Sequence, residues 1–274
     1  MTDIKGKVVW ITGASSGIGA ELARELARRG ARVAVSARRE ELLRDLAAEC
    51  RSLGAPAAIA VPLDITYDVS VVAAHLQVVE ELGAPDIVVF NAGSWAPIDV
   101  RAFRASSIQH QFEVNVVGTA RCIEHALQPM LERGAGRIAV VASLTAFTAL
   151  PTAEGYGASK AALVSMCDAL RADLATSGVK VTVINPGFVR TPMTSENDFP
   201  MPMLMDADEA AEIIADGLEA GRDEISFPKP VEWSLKLLAA MPGVVRRRVV
   251  ARLARPRTRQ APQTPTTATG KARS

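Results

Sequence analysis

Val8-Val9-Trp10-Ile11-Thr12-Gly13-Ala14-Ser15-Ser16-Gly17-Ile18-Gly19 is the stretch that decides the fold. Its first five residues are a continuous apolar run, its middle is a glycine-rich turn, and a helical pattern follows from Ala20 to Arg29. Glycines at such a junction let the backbone turn tightly and approach a pyrophosphate, while the next helix offers free N–H groups and the positive end of its dipole. The spacing here is Gly-x-x-x-Gly-x-Gly, different from the Gly-x-Gly-x-x-Gly of many dinucleotide-binding domains. Alone, the turn fits a plain reverse turn as well as a cofactor loop. Its neighbours decide between them.

Outward from this unit, apolar runs alternate with helical patterns. RVAVSA (32–37) leads to a helix over 40–52, AAIAVPLD (57–64) to one near 69–82, and DIVVFNAG (86–93) to a long helix ending near Arg133. RIAVVAS (137–143), a helix carrying Tyr156 and Lys160, KVTVINPG (180–187) and EISFP (224–228) complete the series. Apolar runs of this length are what parallel strands covered on both faces look like, and their alternation with helices predicts βαβ units. The expectation is one α/β domain over residues 1–230, a Rossmann-type doubly wound parallel sheet flanked by helices. An apolar and basic extension follows over 231–274, with its Thr/Pro/Gln-rich last twenty residues or so expected to be disordered.

Bulk properties narrow the class. A chain of 274 residues with 49% hydrophobic and 4% aromatic residues builds an Ala/Val/Leu core and is not a disordered polymer. Three scattered cysteines (Cys50, Cys122, Cys167) without a Cys-x-x-Cys read as reduced thiols, and neither they nor the three scattered histidines suggest a metal site. No leader pattern and no membrane-length apolar run is visible, so the expected location is cytoplasmic. Nine basic residues and no acid lie between Arg246 and Ser274, leaving 22 basic against 30 acidic residues upstream. An acidic body thus carries a basic appendage. With no interleaved aromatics or recognised motif, nucleic acid is not expected as its partner.

Two features carry chemistry. Tyr156 and Lys160, in YGASK, are four apart on a helix and therefore share a face. A phenol ionises near pH 10, so use near neutrality requires stabilising its anion, and an ammonium about 4 Å away supplies roughly 4 kcal/mol at an effective dielectric near 20. At the end of the second strand, where an acid would hold a ribose diol, the chain reads Ala37-Arg38-Arg39. Two guanidiniums there suit a 2′-phosphate, so NADP(H) is expected over NAD(H).

Taken together, TGASSGIG (12–19), Asp64 in LDIT, Asn91-Ala92-Gly93, Asn115 in VNVVG, Ser143 in VVAS, Tyr156-x-x-x-Lys160 and Pro186-Gly187 followed by Thr191 resemble the classical short-chain dehydrogenase/reductase family from about Lys7 to Pro228. That resemblance implies a seven-stranded parallel sheet and an oxidoreductase interconverting a carbonyl and a secondary alcohol. It implies a catalytic set of Asn115, Ser143, Tyr156 and Lys160. In that set Tyr156 exchanges the proton, Ser143 orients the substrate oxygen, Lys160 bonds the nicotinamide ribose and favours tyrosinate, and Asn115 helps hold a relay water. The implied cofactor contacts are Gly13, Ser15, Ser16, Gly17, Ile18, Gly19, Arg38, Arg39, Asp64 at the adenine, Asn91, Ala92, Gly93, Tyr156, Lys160, Pro186, Gly187 and Thr191 at the carboxamide. A homodimer or homotetramer is the family habit.

The segment 188–206 after the sixth strand is expected to close over the substrate, and its Met193, Met201, Met203 and Met205 suit either an adaptable apolar pocket or plain packing. A hydrophobic substrate is the expectation. A non-catalytic dinucleotide-binding regulator or scaffold is the alternative, recognisable by loss of a catalytic member, and all are present here. A serine hydrolase, which would need a Gly-x-Ser-x-Gly nucleophile elbow, is set aside, because the stretch with that spacing, Gly13-Ala14-Ser15-Ser16-Gly17, is the glycine-rich turn already read as the phosphate loop. Residues 233–254 mix Trp, Leu and Val with arginines, as interfacial helices do, so peripheral membrane contact is a further expectation.

Overall fold

The computed structural model describes residues 3–253 apart from 149, 196 and 198. Among the described residues seven strands form one parallel sheet in the order β3-β2-β1-β4-β5-β6-β7. The strands are β1 (Val8–Thr12), β2 (Arg32–Ala37), β3 (Ala58–Pro62), β4 (Ile87–Phe90), β5 (Gly136–Val141), β6 (Val179–Pro186) and β7 (Glu224–Phe227). The helices are α1 (Gly17–Arg28), α2 (Glu40–Ser52), α3 (Asp68–Leu82), α4 (Ala105–Phe112), α5 (Thr119–Arg133), α6 (Glu154–Asp173), α7 (Ala207–Glu219), α8 (Lys229–Ala240) and α9 (Gly243–Leu253).

Strand β1 explains why the sheet is buried on both sides. Successive side chains point to opposite faces, so Val9 and Ile11 enter one core with Leu22 and Leu26 of α1, while Val8 and Trp10 enter the other with Val71 of α3 and Met130 of α5. Trp10 satisfies its ring N–H inside the core by donating to Ser36 Oγ at 2.8 Å. Leu22 and Leu26 are fully buried, each contributing roughly 1.5–3 kcal/mol.

The winding reverses beside β1. From it the chain steps outward to β2 and β3, then returns to its other side as β4. Loops after β1 and β4 therefore diverge and leave a crevice at the strands' C-terminal ends, the place where open α/β sheets bind ligands.

The long helix expected to end at Arg133 is present as an uninterrupted run of α4, a wider π-type turn over Glu113–Gly118, and α5. The extra residue in the wider turn rotates Asn115 inward, to full burial. Toward the C-terminus, the expected boundary at residue 230 lies just inside α8. This helix is tied to the body by Thr148 Oγ1 donating to Leu235 O at 3.3 Å and by Lys236 pairing with Glu224 at 2.9 Å. Met241 and Pro242 separate α8 from α9. The disorder expected of the last twenty residues or so lies outside the described residues.

Candidate active site

Thr12 ends β1 and fastens the two loops of the crevice. Its Oγ1 accepts the backbone N–H of Asn91 at 3.1 Å and of Ala92 at 3.2 Å. Asn91 replies through its amide, donating to Thr12 O and Gly13 O, both at 3.1 Å. The glycines are needed for this closeness. Gly13 has φ +68°, and an added Cβ would lie 2.7 Å from Ala92 Cα. A Cβ on Gly19 would lie 2.5 Å from Asn91 Nδ2, and one on Gly17 (φ +59°) would meet the Thr191 methyl at 2.9 Å. Ser16 precedes α1 in extended conformation and its side chain does not cap the helix. The first-turn N–H groups thus face the crevice without a side-chain acceptor from Ser16, as an anion site requires.

A cleft of about 830 Å³ runs across these loops. At one end Arg38 and Arg39 follow β2, and Arg39 donates to Ser15 Oγ at 2.8 Å and Ser16 Oγ at 3.1 Å. Burial tends to raise the Asp64 carboxyl, but the Thr66 hydroxyl at 2.7 Å, the Thr66 N–H at 3.0 Å and the Arg38 charge hold it below its ordinary value. At the other end stand Ser143, Tyr156 and Lys160. Every residue expected at the site lines this cleft except Gly19 and Asn115, which lie behind it. Gly19 holds the turn shape. Asn115 accepts Ser94 N–H at 2.7 Å and donates to Ser94 O at 3.0 Å and Ser159 Oγ at 2.9 Å, so its side chain is a strut between β4's loop and α6.

Tyr156 and Lys160 share a face of α6, with Nζ 5.5 Å from the phenol ring centre. The expected acidification of the phenol is not what this arrangement produces. Burial pushes Tyr156 up to about 12, only partly offset by its hydrogen bond with Ser143. Burial also pushes the Lys160 ammonium down to about 8. Removal from water disfavours both charged forms, and Nζ is directed at Val141 O, 2.8 Å away. Burial thereby holds both groups toward their uncharged forms.

Sequence reasoning missed Ser94, Trp95, Ser159 and Thr194. Ser159 accepts from Asn115 and donates to Tyr156 O at 2.7 Å, inside the YGASK motif that was in view. Thr194 Oγ1 accepts Thr191 N–H at 3.0 Å and shapes the turn after β6. Trp95 packs its ring edge-on against Tyr156, with centroids 5.2 Å apart. Its nearness to Asn91-Ala92-Gly93 was the available signal. Of the four methionines, Met193 lines the cleft, whereas Met205 packs against the core and bridges to Val189. The segment thus serves both pocket and packing.

A parallel sheet with a switch-point crevice, a glycine loop at a helix start and a Ser-Tyr-Lys cluster facing the same cleft define an NAD(P)-binding oxidoreductase. Comparison with known proteins gives the family. The short chain dehydrogenase family model matches residues 7–200. An uncharacterized oxidoreductase of Myxococcus xanthus is 36% identical over 245 residues, 89% of this chain and 95% of that protein. An 11-beta-hydroxysteroid dehydrogenase A of Arachis hypogaea is 37% identical over 193 residues, 70% of this chain and 55% of that protein. Among solved structures, a variant of actinorhodin polyketide ketoreductase with NADPH superposes with TM-score 0.75 at 30% identity, over 85% of this chain and 99% of the ketoreductase. The chain belongs to the short-chain dehydrogenase family, whose members act on CH–OH and C=O groups with NAD(P).

Proposed function

We propose that the protein reduces the carbonyl of a hydrophobic ketone to a secondary alcohol, with NADPH as the favoured cofactor. The observation that carries this reading is the single cleft with two guanidiniums at one end and the Ser143-Tyr156-Lys160 cluster at the other. The residues fit a dinucleotide, because the backbone lines the cleft at Gly13 and Gly17, where there is no room for a Cβ. Arg38 and Arg39 would hold the 2′-phosphate, the α1 N-terminus with Ser15 and Ser16 the pyrophosphate, Asp64 the adenine end, and Lys160 the ribose near Tyr156.

When bound, the nicotinamide supplies a hydride to the carbonyl carbon. The developing alkoxide takes its proton from the Tyr156 hydroxyl, while the Ser143 hydroxyl donates to the same oxygen and fixes its position. The tyrosinate so formed is stabilised by the Lys160 ammonium and recovers its proton from solvent. Asn115 acts by holding Ser94 and Ser159 on either side of this group. A phenol raised to about 12 holds its proton throughout the neutral range, which is the form that carbonyl reduction needs. Met193, lining the cleft and 43% exposed, gives an adaptable apolar wall and supports the hydrophobic substrate class.

The test is NADPH absorbance over a panel of aliphatic, aromatic and cyclic ketones, repeated with NADH. Turnover of at least one apolar ketone is expected, with kcat/KM higher for NADPH. Replacing Arg38 by Ala should cut that preference by about 10–100-fold, the worth of a charge-assisted hydrogen bond. An unchanged NADPH/NADH ratio would contradict the cofactor assignment, and a panel without turnover would contradict the activity.

A homodimer or homotetramer in the cytoplasm completes this reading, following the family habit, and a monomer in sedimentation equilibrium would overturn the assembly. We also read α8 and α9 as a surface for anionic bilayers. Trp233 (68% exposed) and Leu237 project from α8, Val244 and Val245 from α9, and α9 carries Arg246, Arg247, Arg248 and Arg252 without an acid. Interfacial helices combine the same ingredients.

A further inference from the structure

Trp95 does more than pack on Tyr156. Its indole N–H donates to Asn197 Oδ1 at 3.1 Å, joining the loop after β4 to a residue 102 positions later in the segment that follows β6. Asn197 also turns its amide toward Met201 Sδ at 3.6 Å, so one side chain links the far part of that segment to the body.

The two ends of this link differ in firmness. On the body side, hydrogen bonds hold the chain on either side of Trp95. Ser94, its neighbour, is gripped through both backbone groups by the buried Asn115 amide, and Ile98 N–H reaches Thr152 O at 3.0 Å. On the segment side, residues 188–206 are closed at their base. Arg190 N–H donates to Met205 O at 2.8 Å, Met205 N–H to Phe188 O at 3.0 Å, and Arg190 pairs with Asp206 at 2.8 Å. Phe188 meets Phe199 edge-on at 5.9 Å. A loop closed at its neck moves as a flap, and a contact far from the neck controls whether it is open. The Trp95–Asn197 hydrogen bond is such a contact, and the ring that makes it also lies against the phenol.

We propose that Trp95 and Asn197 form the latch that holds residues 188–206 closed beside Tyr156. Trp95 is thereby a positioning residue for the phenol, and the pair governs ketone entry. The latch itself is independent of the proposed activity; only its consequence for turnover rests on that reading. A tryptophan is required because phenylalanine would keep the ring contact and lose the donor, while alanine would lose both.

The experiment is a four-cornered cycle of the full chain: wild type, Trp95→Phe, Asn197→Ala and the double variant. Amide hydrogen exchange of residues 188–206 is read in each. One neutral hydrogen bond shifts an opening equilibrium roughly fivefold. Both single variants should therefore exchange about fivefold faster than wild type, with the double variant no faster than either. Unchanged exchange in Trp95→Phe, or a double variant whose effect is the product of the singles, overturns the latch. Exchange needs neither cofactor nor turnover, so its failure is separable from failure of the proposed function. With acetophenone as probe, Trp95→Phe should raise the ketone KM more than it lowers kcat and leave the NADPH Kd unchanged. Equal loss of NADPH affinity would mark a general structural defect and overturn the positioning role.

Discussion

Lys160 is an ammonium almost closed to water, with its hydrogen bond going to the Val141 carbonyl. The gap between its ordinary value of 10.5 and the value near 8 to which burial pushes it corresponds to about 3 kcal/mol of destabilisation at neutral pH. Lys160→Met should accordingly raise stability by about 1–3 kcal/mol at pH 7, the usual outcome when a buried charge is exchanged for an apolar side chain. The sign with pH follows from linkage. Between pH 8 and 10.5 the unfolded chain holds the lysine proton more firmly than the folded protein, so wild-type stability rises with pH there. The advantage of Lys160→Met should therefore shrink through this window, read by urea unfolding at pH 7 and pH 10. An advantage that stays constant would mean the ammonium is solvated. The spacing of Tyr156 and Lys160 put both groups on one face, as the sequence suggests. What spacing does not carry is the extent of burial, and burial sets the direction in which each group titrates.

The unit of strand, glycine turn and helix was readable because its residues leave few choices. VVWIT is buried throughout, with Thr12 at its end as its one polar residue, and Gly13 and Gly17 adopt positive φ. Asn91 being the neighbour that presses on Gly19 was not readable, because that contact joins loops 72 positions apart. It gives a prediction. Gly19→Ala forces a methyl against the Asn91 amide and the Gly13 carbonyl, which overpacking data put at about 1–3 kcal/mol. The loosened turn should weaken NADPH binding by roughly tenfold or more, measured by nicotinamide fluorescence. Binding equal to wild type would mean the turn does not hold the pyrophosphate. Elsewhere the long helix ending at Arg133 does run without interruption, but its wider turn over Glu113–Gly118 was not read. The change is one of turn width and goes with the burial of Asn115, and a one-residue widening leaves no mark in hydrophobic periodicity.

At the scale of the molecule, the order of strands was not derivable from the apolar runs themselves, since any order of parallel strands buries them. The family resemblance implied seven parallel strands without an order, and the order is what sets the crevice between the loops of β1 and β4. The outer surface shows a second asymmetry. α9 carries four arginines and no acid on an acidic body, while no helix among the described residues is long and apolar enough to cross a membrane. Contact with a bilayer would therefore be lateral. Sedimentation with vesicles containing phosphatidylglycerol should pellet the protein at low salt, and not with neutral phosphatidylcholine vesicles. Trp233→Glu and charge reversal at Arg246–Arg248 should each abolish it. Equal pelleting of the variants would reject the surface.

All of these scales meet at one oxygen, the Tyr156 hydroxyl, which the fold delivers to the cleft and burial keeps protonated. The most direct measurement compares wild type and Tyr156→Phe for two quantities, NADPH affinity by fluorescence titration and turnover of the best ketone from the panel. The variant should bind NADPH within about twofold of wild type and lose turnover by roughly 10²–10⁴-fold, the contribution of a positioned general acid. Near-normal turnover with intact NADPH binding would contradict the account, because the proton would then come from another group.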